Sequence, residues 1–175
     1  MKKRTKNLLD IFLRYAILIL IALPGLQIFY FLFSSLTIYP VFFLLNLFYD
    51  VSLSGNVIHV LDRYFIEIIA ACVAGSAYYL LFILSMSLRK IKLRRRLNLI
   101  FLSFLLFLIA NILRVFILSV LYVSNFSFFD IAHKVFWYVG SIILVIFIWF
   151  VLIKIFKIKE IPFIEDIKFL SRLKR

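Results

Sequence analysis

The sequence predicts an all-α integral membrane protein of about four transmembrane helices, with a short re-entrant or interfacial segment and a small outer loop or hairpin. Three observations predict it. Hydrophobic residues make up 66% of the 175 positions, against about 45–50% in soluble globular domains. Several separate apolar runs reach the roughly 20 residues that cross a hydrocarbon core of about 30 Å. All but three of the 21 Lys and Arg residues gather in blocks beside those runs, the exceptions being Arg63, Arg114 and Lys134. Residues 1–175 therefore read as a single multi-pass membrane domain, with no stretch left over for a soluble catalytic domain.

The net charge of +13 would point to nucleic acid in a soluble chain. Here the basic blocks (Lys2 to Arg14, Arg89 to Arg96, and Lys154 onward) each flank an apolar run, which is the positive-inside pattern. Nucleic acid is excluded as the partner on that ground, and attraction to anionic headgroups follows as a by-product. The expected location is the cell membrane, with both termini cytoplasmic.

The first span covers about residues 15–36, with a kink at Pro24-Gly25. Its apolar run exceeds the 7 to 15 residues of a signal-peptide core, so it reads as a retained helix. Residues 37–50 are apolar but only about 14 long, start with Tyr39-Pro40 and contain Asn46. That length suits a re-entrant or interfacial helix better than a crossing. Between Val51 and Glu67 the chain turns polar. Ser54-Gly55-Asn56 is a turn signal, and Val57–Val60 with Tyr64–Ile68 can form a short outer hairpin. A second span follows at 68–88, then the cytoplasmic basic loop 89–96, a third span at 97–123, an outer loop around Asp130, and a fourth span at 133–153. The tail, 154–175, mixes Lys and Arg with Glu160, Glu165 and Asp166 around Ile161, Phe163, Ile167, Phe169 and Leu170, as an amphipathic piece on the inner surface does.

Arg114 stands out, because an arginine at the centre of a membrane helix costs about 2.5 to 3.5 kcal/mol and is usually kept for a partner or a task. A rise of about 1.5 Å per residue places Arg114 about 26 Å above the inner boundary at Leu97, Cys72 about 24 Å from Leu88, and His133 about 32 Å from Lys154. Three spans thus bring a guanidinium, a thiol and an imidazole to the outer leaflet. The single cysteine excludes an intramolecular disulfide and a multi-cysteine metal site, and no cofactor or metal is expected.

The chemistry that uses this trio is thiol-based acyl transfer at the extracytoplasmic face. A thiolate is the nucleophile, and a neighbouring His or Arg raises its reactive fraction. His133 serves as general base and then acid, and Arg114 holds the oxyanion or the substrate carbonyl. Asn111, three residues before Arg114 and on nearly the same helix face, supports it or a neighbouring helix. Each residue has a plainer reading. Cys72 packs as a small hydrophobe, His133 marks an interface, Arg114 snorkels or pairs with Glu67 or Asp130, and His59 is a surface-loop residue.

Three stretches in this order, Ala71-Cys72-Val73-Ala74-Gly75-Ser76, Asn111-Ile112-Leu113-Arg114-Val115 and Ala132-His133 with Gly140 following, resemble the signatures of the exosortase/archaeosortase family. Those signatures are Ala-Cys-Ser/Thr-Gly, then Asn-x-x-Arg in the next span, then His or Arg at the outer start of the last. The likeness covers about residues 57–151, and the length resembles compact archaeal forms. One departure is that the family glycine sits two residues after the cysteine, where this chain has Ala74 and places glycine at 75. The resemblance implies a cysteine transpeptidase or protease that cleaves a C-terminal sorting signal of exported proteins, made of a short motif, a transmembrane helix and a basic tail. It implies transfer of the acyl group to an amine-bearing acceptor, a membrane lipid or surface component, with Cys72 as nucleophile, Arg114 as electrostatic stabiliser and His133 as general base or acid. Two other classes stay open. A small transporter or channel component would bind an anion at Arg114, and a non-catalytic assembly subunit would use the polar groups as interhelical glue.

Overall fold

The structure, a computed structural model, describes residues 2–89, 91–158 and 162–171. Helices α1 (Lys2–Ala22) and α2 (Gln27–Asn46) lead into strands β1 (Val51–Ser54), β2 (Val57–Val60) and β3 (Tyr64–Glu67). Helices α3 (Ala70–Val73), α4 (Gly75–Met86), α5 (Leu93–Val123) and α6 (Phe129–Val135) follow, then a π-helical turn at Phe136–Gly140, α7 (Ser141–Ile155) and α8 (Ile164–Ser171). Among the described residues, three helical stretches are long and apolar enough to cross a membrane, Gln27–Asn46, Leu93–Val123 and Phe129–Ile155; Ala70–Met86 is apolar but shorter. Only 22% to 33% of their most apolar windows is buried inside the protein. The rest presents apolar side chains outward, as a lipid-facing surface does.

Helix α5 is the central element. From Leu99 to Val123 every fourth residue is buried, and α2 repeats the pattern from Phe29 to Leu45. Residues four apart share one helix face, so the two stripes pack along their length. The packing runs in parallel, with Phe33 edge-on to Phe104 at 5.6 Å and Phe48 beside Phe116 at 6.0 Å. Tyr78 of α4 fills the core between them, stacked on Phe33 at 3.7 Å and edge-on to Phe107 at 4.8 Å. The hydroxyls of Ser103 and Ser119, on the buried stripe, donate to carbonyls of their own helix, Ile100 and Val115. The seam is therefore narrow and its two serine hydroxyls are paired, while the buried Tyr78 hydroxyl has no hydrogen-bond partner.

Several expected boundaries shift. The span at 15–36 is not one kinked rod, because the chain turns at residues 23–26 with Gly25 and Leu26 both at positive φ, 63° and 64°. Tyr79 donates its hydroxyl to the Leu18 carbonyl at 2.9 Å and also lies 6.0 Å from the Phe29 ring. A continuous helix would separate Leu18 and Phe29 by about 16 Å, so α1 crosses the base of α2 instead of extending it. Residues 37–46 are correspondingly not a separate re-entrant piece but the second half of α2. Pro40 removes a single helical hydrogen bond, and the fully buried Val41 and Leu45 hold the helix in place beyond it. In place of the expected two-stranded hairpin there is a three-stranded antiparallel sheet, since Val51–Ser54 pairs with β2 as well. The second span is broken at Ala74, and the last begins at Phe129, so His133 lies within α6 and not at a helix start.

All three basic blocks meet at one end of the bundle. Arg14, 2% exposed, donates to Asp166 at 3.0 Å, to Asp10 at 3.1 Å and to the Met86 carbonyl at 2.9 Å. Arg89 stacks over Phe169, 3.7 Å from its ring centroid, and lies 3.9 Å from Asp166. Arg95 donates to the Phe156 carbonyl. The middle of α1, the ends of α4 and α7, the start of α5, and α8 are thereby tied together. Helix α8 occupies part of the stretch read as an amphipathic tail; Lys90, residues 159–161 and residues 172–175 lie outside the described residues.

Candidate active site

The site is built on the break in the second span. Helix α3 closes a single turn, with the Cys72 N–H donating to the Ile69 carbonyl at 2.9 Å. Ala74 then adopts a left-handed conformation, φ 57° and ψ 46°, and α4 restarts at Gly75. A residue with a Cβ pays about 1 to 2 kcal/mol there. Gly75 is required for a different reason, since a Cβ at that position would lie 2.7 Å from the Tyr30 ring.

The break frees the carbonyls of Cys72 and Val73, and α5 satisfies them. Asn111, fully buried, donates its amide to the Cys72 carbonyl at 2.9 Å and reaches the Val73 carbonyl at 3.4 Å. Arg114, one turn further along the same face, donates from Nη2 to the Cys72 carbonyl at 3.3 Å and from Nη1 to the Ser141 hydroxyl. The Asn-x-x-Arg spacing thus lets two side chains grip the backbone of one residue. Both retain unused capacity, because Arg114 Nε and Asn111 Oδ1 are buried without hydrogen-bond partners.

Among the described residues, no carboxylate lies within 4.0 Å of Arg114. Glu67 accepts instead from the Asn56 amide at 3.2 Å, so the structural ion pair with Glu67 or Asp130 does not form. A guanidinium held by neutral groups beside an apolar core keeps its field available for an anionic or polarised partner.

Cys72, Arg114 and His133 line the same cavity, of about 210 Å³. Cys72 is half-buried and is a free thiol. His133 is held between Phe129, its ring stacked at 5.5 Å, and Trp137, edge-on at 5.6 Å. Those two aromatics sit four residues before and after it, so α6 and the π-helical turn orient the imidazole. The volume is below the 300–1,000 Å³ or so of whole-ligand pockets, and fits the few atoms around a reacting bond. His59 stands apart, packed edge-on against Phe65 at 4.9 Å in the sheet.

Two features escaped the sequence. Ser141 completes the grip on Arg114, and its only signal was a small polar residue after Gly140 in an otherwise apolar helix. Arg114 also lines a second cavity, of about 310 Å³, with Ser76, Ser141 and Tyr30. Comparison with protein-family models, curated proteins and solved structures finds no match for the chain.

Proposed function

We propose that this protein is a membrane-embedded cysteine transpeptidase or protease of the exosortase/archaeosortase type. It would cleave a C-terminal transmembrane sorting signal of exported proteins and pass the acyl group to an amine-bearing lipid or surface acceptor. The observation that carries the reading is that Cys72, Arg114 and His133, from three separate helical segments, line one cavity. In this reading the chain crosses the cell membrane four times, with Ala70–Met86 as the short crossing. Both termini and the basic end are cytoplasmic, and the cavity opens at the extracytoplasmic face.

The reaction follows from the groups present. His133 takes the Cys72 thiol proton, and Sγ attacks the scissile carbonyl carbon to form a tetrahedral intermediate whose oxyanion faces the Arg114 guanidinium. The carbon–nitrogen bond then breaks, His133 returns its proton to the leaving amine, and a thioester remains on Cys72. The acceptor amine attacks that thioester, a new amide forms, and the thiol is regenerated. Arg114 and Asn111 fix the nucleophile through its own carbonyl, which holds the Cys72 backbone while Sγ reacts.

Replacing Cys72 by Ala is expected to abolish processing of a tagged protein bearing such a signal, with membrane insertion of the enzyme intact. Unchanged processing contradicts the reading. A second reading, anion transport, is favoured by one observation: the uncompensated Arg114 lines both cavities. Transport would survive loss of the thiol, so the same variant separates the two.

A further inference from the structure

The sheet beside the cavity has an open edge. In the order β1-β2-β3, strand β3 is terminal. The Ile68 N–H donates to the Asn56 carbonyl at 2.9 Å, and the register continues through Ile58 opposite Ile66 and Val60 opposite Tyr64. Hydrogen-bonded pairs alternate along an antiparallel ladder, so Tyr64, Ile66 and Ile68 direct their backbone groups at β2. The N–H and C=O of Phe65 and Glu67 point the other way. Among the described residues, no other element bonds to them.

That edge borders the cavity that holds Cys72. Four consecutive residues, Phe65 to Ile68, line it. Successive side chains of a strand point to opposite faces, so a space touched by all four runs along the strand's edge and not against one face. Tyr122 and Phe129, whose rings lie 5.4 Å apart, and Cys72 line the same cavity. Unpaired edges are ordinarily blunted because they recruit strands; this one leads to a candidate nucleophile.

We infer that the Phe65–Glu67 edge binds the substrate polypeptide as an added β-strand, extending the sheet to four strands and delivering the scissile carbonyl to Cys72. The inference rests on the reading of Cys72 as the nucleophile. The occupant is an extended peptide segment, because the edge offers only main-chain donors and acceptors, which any extended sequence matches. Side-chain preference would then come from alternate substrate residues against Tyr122 and Phe129.

The test uses the full chain in nanodiscs and acetyl-alanyl chloromethyl ketones of one to four residues. The Cys72 thiolate displaces chloride from these probes, forming a carbon–sulfur bond, and intact mass reports the rate. Strand addition predicts a rate rising at least about tenfold from one residue to four, and falling back when alternate amides of the longest probe are N-methylated. Phe65→Pro removes an outward N–H that the ladder does not use, so it should slow the long probe while leaving alkylation by iodoacetamide unchanged; Phe65→Ala should retain the length dependence. The N-methyl series on the native protein decides the matter if the proline variant fails to fold. A rate independent of length, with Cys72 alkylated throughout, overturns strand docking and spares the nucleophile. If no probe alkylates Cys72 and Cys72→Ala still processes substrate, the docking and the nucleophile reading fall together.

Discussion

Asn111 donates its side-chain amide to the carbonyl of Cys72 at 2.9 Å, across thirty-nine residues of chain. That bond joins the central helix to the break after the candidate nucleophile. Replacing Asn111 by Leu leaves the Cys72 and Val73 carbonyls short of a donor. The expected loss is about 0.6 to 1.7 kcal/mol, the range for interhelical hydrogen bonds in membrane proteins. Thermal unfolding in detergent measures it, and processing should slow as the Cys72 backbone loosens.

Ala74 occupies a left-handed position that glycine adopts without strain. Ala74→Gly should therefore stabilise the protein, by about 0.5 to 1 kcal/mol after the added chain entropy is counted. Gly75→Ala should destabilise it, because the new methyl meets the Tyr30 ring. Tyr30→Leu in the Gly75→Ala background should recover part of that loss. Glycine thus stands at the position of close approach, while the left-handed position carries alanine.

Arg114→Lys is not conservative here, since one ammonium lacks the fork that reaches Ser141 and the Cys72 carbonyl together. Processing should fall about 100-fold or more, the scale for loss of an oxyanion donor. Ser141→Ala should cost less, as it only frees the guanidinium to move. Monodispersity of both variants in detergent shows that the fold survives.

His133→Gln should lower the processing rate by about 10² to 10⁴, the contribution of a positioned acid–base group. Alkylation of Cys72 by iodoacetamide should fall less than processing, because alkylation has no leaving amine to protonate. Equal losses in both assays would limit His133 to activating the thiol.

At the basic end, Asp166→Ala removes the carboxylate from the buried Arg14. A cost of about 3 kcal/mol is expected, at the low end for breaking a buried pair because Asp10 still accepts from Arg14. Arg14→Met with Asp166→Leu should regain most of it. Equilibrium unfolding measures both, and the rate per folded molecule should not change.

The long apolar helices were legible because hydropathy carries that signal residue by residue. Arg114 and Asn111 announced themselves as polar groups three apart in an apolar run. The break after Cys72 was not legible, since Ala74 takes a conformation its side chain disfavours and the bonds from α5 that satisfy the freed carbonyls are long-range. Pro40 misled for the converse reason: its local signal for a boundary is overridden by burial of Val41 and Leu45. The turn at Pro24-Gly25 was read as a kink because sequence cannot say whether a helix continues beyond it or crosses its own base. Strand β1 escaped because Val51–Ser54 has apolar alternation too short to separate from a turn.

The most direct measurement is the mass of the protein after it meets a polypeptide carrying a C-terminal transmembrane sorting signal, quenched in acid. The proposed function requires an adduct equal to the upstream acyl fragment, mapped to Cys72 and released by hydroxylamine as a thioester is. Processing that proceeds without such an adduct, and persists in Cys72→Ala, would contradict it.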